Sequence, residues 1–288
     1  MKTARNEGCG AADNPRGAFT LVELLVVIVI ISVLMGMMMP GVQAVQEAAR
    51  RATCRSHLAE LGAALQEHVA AYGVLPPGTT DPKGPIRSAP QGNHISWIVH
   101  LLPYLGEGVT FKRIDQAAGA YDAKNAAARE VPIGLLTCPS SARRLPGSPP
   151  ASSYAGCHHE VEAPIDADNH GVLFLNSRIA PRDVTDGPAH TIYLGEKRWE
   201  QDDLGWMSGT RATLRNTGTP INQPRPGFPG AADLAVGGFG SAHAGGAHFL
   251  FGDGAVRFLS VQIDMGLYQQ YGHRADGKLI TSGPTREE

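Results

Sequence analysis

Residues 19–39 read FTLVELLVVIVIISVLMGMMM. An α-helix rises about 1.5 Å per residue, so a bilayer core needs roughly 20 apolar residues in a row. The run has that length. Its many β-branched residues would suit a buried strand if the segment were short, but at this length a membrane helix is the fitting structure. Pro40 and Gly41 fall at the membrane edge and predict a kink there rather than a stop. A secretory signal peptide shares the basic start and the apolar run. This run is too long for an ordinary signal core, and no clean small-x-small cleavage site follows it.

Residues 1–18, with Lys2, Arg5 and Arg16, are polar and rich in Gly, Ala and Asn. They read as a leader without a core. The positive charges before the apolar run predict an N-terminus in the cytoplasm and a main domain on the far side. One residue breaks the apolar pattern: Glu23 sits at the start of the run. A carboxylate in lipid costs several kcal/mol unless it is paired or reaches the interface, so it marks a functional position. A positive group on a neighbouring molecule, such as a newly cut amino terminus, is its natural partner.

Beyond the membrane, residues 41–73 continue as a helix. Leu58, Leu61, Leu65 and Val69 recur at spacings of three and four, and Val42, Val45, Ala49 and Ala52 extend that side. Gly73, Pro76 and Pro77 end it. The stripe requires a sheet or a second helix to cover it. Residues 74–264 form the soluble body. Gly 35 and Pro 21 of 288 residues predict many loops there. Residues 97–104 and 121–130 read as short helices, and 171–175 and 191–194 as strands. Residues 247–251 and 255–259, joined by Gly252-Asp253-Gly254, read as a hairpin, because such turns need residues tolerant of positive φ. Residues 265–288 read as a tail. The fold class that follows is α+β: a long N-terminal transmembrane and stalk helix packed on an antiparallel sheet domain with large Pro/Gly-rich loops.

The segment RGAFTLVELLVVIVIISVLMGMMMP, residues 16–40, resembles the cleavage and methylation motif of type IV prepilins and pseudopilins. The resemblance implies that a prepilin peptidase cuts between Ala18 and Phe19 and methylates the new N-terminus. It makes Glu23 the fifth mature residue, which pairs with that terminus during assembly. The family prefers Gly just before the cut, and Ala18 there implies slower or absent processing. The body resembles planctomycete prepilin-like proteins of the DUF1559 type, which end in a signature of His, nine residues, then Asp-Gly. His243, Asp253 and Gly254 meet it. Further matches lie at 49–78, 96–105, CPS at 138–140, SSYAG at 152–156, DGPAHTIYLGE at 186–196 and FGSAHAGGAHFLFGDGAVRFLS at 239–260. The family's usual Asn-Asn-Leu-Lys is replaced here by Ser56-His57-Leu58-Ala59.

These readings together imply a membrane-anchored pilin-like structural protein. It would sit as a single-pass protein of the cytoplasmic membrane or in a surface filament. Its partners would be the peptidase, the bilayer, and its own copies or other pilin-like subunits. The alternative is an extracytoplasmic carbohydrate- or metal-binding module that uses the helix only as an anchor. Net charge is −2, and no basic patch alternates with aromatics, so nucleic acid is not an expected partner.

Beyond the leader lie Cys54, Cys138 and Cys157. In an oxidising compartment one pair could form a disulfide. Cys54 with Cys138 would tie the helix to the domain, and Cys138 with Cys157 would close a local loop. Asp253 is expected to cap the hairpin turn through its own backbone, with His243 hydrogen-bonded to that turn or to Asp253. Asp166, Asp168 and His170 fall at the first, third and fifth positions of a calcium-loop pattern, but Ser177 stands where the final Glu belongs. They are weak metal candidates in a solvated acidic loop at 158–171. No GxSxG, HExxH, Walker A or C-x-x-C pattern occurs. The expectation is a non-enzyme without a cofactor.

Overall fold

The structure, a computed structural model, describes residues 20–141, 147–227 and 231–278. Helix α1 runs from Leu21 to Tyr72 without interruption at Pro40. The chain divides between Ala48 and Ala49 into two units. In the first, every large apolar side chain from Leu21 to Val45 is exposed. Such a surface is stable in hydrocarbon and not in water. The segment is long and apolar enough to cross a membrane.

In the second unit, α1 buries Cys54, Leu58, Leu61, Leu65 and His68 along one face. The stripe begins at Cys54. Val42, Val45, Ala49 and Ala52 do not extend it, because they are exposed. Gly73, at φ +76°, ends the helix with its N–H on Val69 O, the left-handed cap that glycine adopts without strain.

Strands β1 (Thr79–Thr80) and β2 (Ile95–Ser96) form a two-residue antiparallel pair. Helix α2 (Trp97–Leu101) continues into a 3-10 turn at Leu102–Leu105, and α3 (Gly108–Lys112) and α4 (Ala126–Arg129) follow. The main sheet holds β3 (Tyr154–His159), β4 (Ile192–Glu196), β5 (Leu214–Asn216), β6 (Gly246–Phe251) and β7 (Val256–Ser260). Their spatial order is β5-β3-β4-β6-β7. The sheet is mixed rather than antiparallel throughout, because β5 pairs parallel to β3.

Strands β3, β4, β5 and β6 are buried on both faces, and the edge strand β7 is half-buried. Leu194, Leu214, Leu250 and Tyr154 join the core that holds Leu58, Leu61 and Leu65 of α1. Ala155, Cys157, Ile192, Phe249 and Phe251 face a second core with Tyr268 and Tyr271. Those two tyrosines lie on helix α5 (Met265–Gly272), so the expected tail at 265 begins with a docked helix. Its start is fixed by Asp264, whose side chain accepts the Leu267 N–H, an ordinary N-cap. Two-sided burial explains why β6 reads as a nearly continuous apolar run instead of alternating. Residues 171–175, expected as a strand, make only an isolated bridge from Leu175 to Thr79.

Candidate metal centre and the N-terminal motif

Four segments far apart in the chain converge beside the α1 face. Cys54 is the first buried residue of that face. Cys138 follows a 3-10 turn at Gly134–Leu136 and is positioned by its N–H on Ser153 Oγ at 3.0 Å. Glu196 closes β4. His243 lies in the loop entering β6, its N–H on Ser241 Oγ at 3.1 Å. All four are buried, and their donor atoms lie within 4.8 Å of one another.

The sulfurs of Cys54 and Cys138 are 2.8 Å apart, with the Cys54 thiol donating. That hydrogen bond raises the Cys54 thiol and holds Cys138 below its ordinary value. His243 Nε2 stands 3.6 Å from Cys138 Sγ and 3.6 Å from Glu196 Oε1. Gly195 pairs with Phe249 across the β4–β6 ladder, which sets Glu196 opposite His248. There Glu196 Oε2 accepts the His248 backbone N–H at 2.8 Å, with His248 Nδ1 at 3.3 Å. Burial pushes the Glu196 carboxyl up; the contacts from His248 and Ser241 outweigh it and hold the group low. Glu196 Oε1 is buried without a hydrogen bond.

The other expected sites are distributed differently. Of the two cysteine pairings, the structure brings together Cys54 and Cys138. Cys157 is separate in the second core, its thiol facing His159 O and Gly272 O. Asp253 caps the hairpin as expected: its Oδ1 accepts the Ala255 N–H at 2.9 Å, and its Oδ2 pairs with Arg257 at 2.8 Å. His243 was expected against that turn, and the contacts of its ring described above are instead with Glu196 and Cys138.

The expected acidic loop at 158–171 begins later, because His158 and His159 are buried at the end of β3. His170 does meet other potential ligands, but they are His159 and Glu160 rather than Asp166 and Asp168. Glu160 lies 2.7 Å from His159 Nδ1 and 2.9 Å from His170 Nδ1. Its burial alone would raise the carboxyl, yet the two histidines bring it down to about 2. Asp166 instead turns back on its own chain, accepting the Ala167 N–H at 2.8 Å, and Asp168 is exposed.

A separate cavity of about 550 Å³ lies beyond the end of α1, with Tyr72, Tyr104 and Phe111 among its lining and His68 and His100 at its wall. Burial lowers the His100 imidazole to about 4, with His68 adding to the shift.

At the N-terminus, Glu23 Oε2 accepts the Thr20 N–H at 2.9 Å and the Thr20 hydroxyl at 2.7 Å, and Thr20 Oγ1 faces the Glu23 N–H at 3.3 Å. Thr-x-x-Glu before an apolar helix is a capping box. The pattern TLVE was present in the sequence and gives Glu23 a local partner. Ala18 and Phe19, the expected processing pair, lie outside the described residues.

Residues 43–266 match the family model described as "Protein of unknown function (DUF1559)", more than three quarters of the chain. The chain belongs to the DUF1559 family. Residues 13–39 of this DUF1559 protein match the prokaryotic N-terminal methylation motif. No curated protein and no solved structure matches it. The motif and the exposed apolar helix together make it a membrane-anchored, pilin-like protein with a single-pass anchor and an extracytoplasmic main domain.

Proposed function

We propose that this protein is a structural subunit of a pilin-like assembly. A prepilin peptidase cuts it between Ala18 and Phe19, and Glu23 pairs with the new amino terminus of a neighbouring copy or related subunit. The observation that carries the reading is Glu23 itself: a carboxylate at the head of an otherwise apolar membrane helix, inside a matched methylation motif. Capping the anchor helix does not require that charge, because glutamine completes the same box. In the isolated chain the capping box satisfies the carboxylate. On assembly, a cationic amino terminus competes for it with a stronger, charge-assisted hydrogen bond. The role is non-enzymatic; the sequence supports this by offering no nucleophile–base or phosphate-binding pattern.

Fractionation tests the reading. Cells are sheared, and the released filaments and the membrane are probed for the protein. The native chain is expected in the sheared fraction and Glu23→Ala only in the membrane. Equal partition of the two would count against assembly through Glu23.

A second reading rests on the cavity beyond α1. Its aromatic walls suit stacking on a sugar ring, and the helix would then serve only as an anchor. A membrane-only distribution together with saturable oligosaccharide binding lost in Tyr104→Ala favours this reading over the first.

A further inference from the structure

We propose that Cys54, Cys138, Glu196 and His243 form a closed, four-ligand site for zinc that fastens helix α1 to the sheet. Two sulfurs, an imidazole nitrogen and a carboxylate oxygen are a donor set for a borderline-soft cation and not for calcium or magnesium, which take oxygen ligands. Zinc bonds of roughly 2.3 Å to sulfur and 2.0–2.2 Å to nitrogen and oxygen set neighbouring tetrahedral donors roughly 3.3–3.8 Å apart. His243 Nε2 is already 3.6 Å from both Cys138 Sγ and Glu196 Oε1. The sulfurs, at 2.8 Å, separate by about an ångström when a cation replaces the thiol hydrogen bond between them. Two thiol protons leave to solvent in that exchange, and no electron moves.

The independent observation is Glu196 Oε1. The side chain is almost wholly buried, Oε2 is held by His248, and Oε1 faces the cluster without a hydrogen bond. A buried carboxylate oxygen left in that state is costly, and a cation at this point removes the cost. A Cys54–Cys138 disulfide would not: it would consume both sulfurs and leave Oε1 facing only the His243 ring, at 3.6 Å and without a hydrogen bond. His248 supplies the outer support that metal-bound carboxylates receive. All four ligands come from the protein and all are buried, so no position stays open for substrate and the site is structural. It links α1, the loop after Leu136, the end of β4 and the loop into β6.

The test uses the full-length chain in detergent, purified without chelator from zinc-replete medium. Metal content is measured by atomic emission. The denatured chain is then alkylated without reductant and weighed. Stoichiometric zinc with Cys54 and Cys138 both alkylated is expected. Substoichiometric zinc, or a Cys54–Cys138 disulfide as the main species, overturns the proposal. Glu196→Gln and His243→Gln should each weaken zinc binding about tenfold or more, while Cys157→Ser leaves it unchanged. Zinc retained at full affinity in both variants places the metal elsewhere and also overturns it. Cysteine variants that fail to fold leave a further check: cobalt added to the native metal-depleted chain should give thiolate-to-cobalt charge transfer with tetrahedral bands. The absence of those bands contradicts the site.

Discussion

The Glu23 carboxylate closes on Thr20, taking both its N–H and its hydroxyl at 2.9 and 2.7 Å. One side chain therefore has two possible duties, capping its own helix and pairing with another chain. They are separable, because glutamine also completes a capping box but carries no charge. Glu23→Gln should insert in the membrane with unchanged helicity and lose co-assembly nearly as fully as Glu23→Ala. Circular dichroism of the purified chain and sheared-fraction yield measure the two effects. Normal assembly of Glu23→Gln would reduce Glu23 to a cap.

The face of α1 that carries the domain is defined by burial. Leu61 is fully buried between helix and sheet, whereas Glu67 on the same helix is exposed. Leu61→Ala should cost about 2–5 kcal/mol, the transfer loss plus a cavity. Glu67→Ala should stay within about 0.5 kcal/mol. Denaturant unfolding of the full chain in detergent checks the contrast.

Acid should destabilise the domain before its carboxylates titrate. Burial brings the His100 imidazole down to about 4 and that of His158 to about 3, and the free nitrogens of both lack hydrogen bonds. The unfolded chain takes up these protons near pH 6.5, and the folded chain does not. Stability is therefore intact above about pH 6.5 and falls as the pH drops towards the folded values. At pH 5 each histidine should have removed about 2 kcal/mol at most. Unfolding curves at pH 7 and 5 measure the loss, and His100→Gln should reduce the slope.

The β6–β7 turn depends on Gly254, at φ +84°, and on Asp253 capping it. Gly254→Val forces a β-branched side chain into the left-handed region and should cost on the order of 1–2 kcal/mol or more. Asp253→Ala should cost about 1 kcal/mol through the lost turn hydrogen bond. Thermal unfolding separates the two.

The helix, its membrane segment and the terminal hairpin were legible because each is a local pattern: a largely apolar run long enough to span a bilayer, a stripe at three and four, an Asp-Gly between apolar runs. The docked α5 was not read, and its residues passed for a tail: Asp264 precedes Leu267, Tyr268 and Tyr271 at helical spacing, but these few apolar residues sit among polar ones. The three-residue β5 was not, because a strand that short has no period and its parallel pairing to β3 is set by tertiary contact. The quartet was legible in three of its four members. Cys54, Cys138 and His243 stood out by type, but Glu196 looked like an ordinary acid after a strand. Only the β4–β6 register, which sets Glu196 across from His248, turns it inward. His159 and His170 likewise meet through Glu160 only once β3 is known to end at His159.

Handling of this chain as a prepilin is the step on which its assembly depends. Mass spectrometry of the N-terminal peptide, after expression with a prepilin peptidase, tests it most directly. The expected chain begins at Phe19 with a methylated amino group. A membrane-inserted chain that still begins at Met1 in the presence of active peptidase would contradict it.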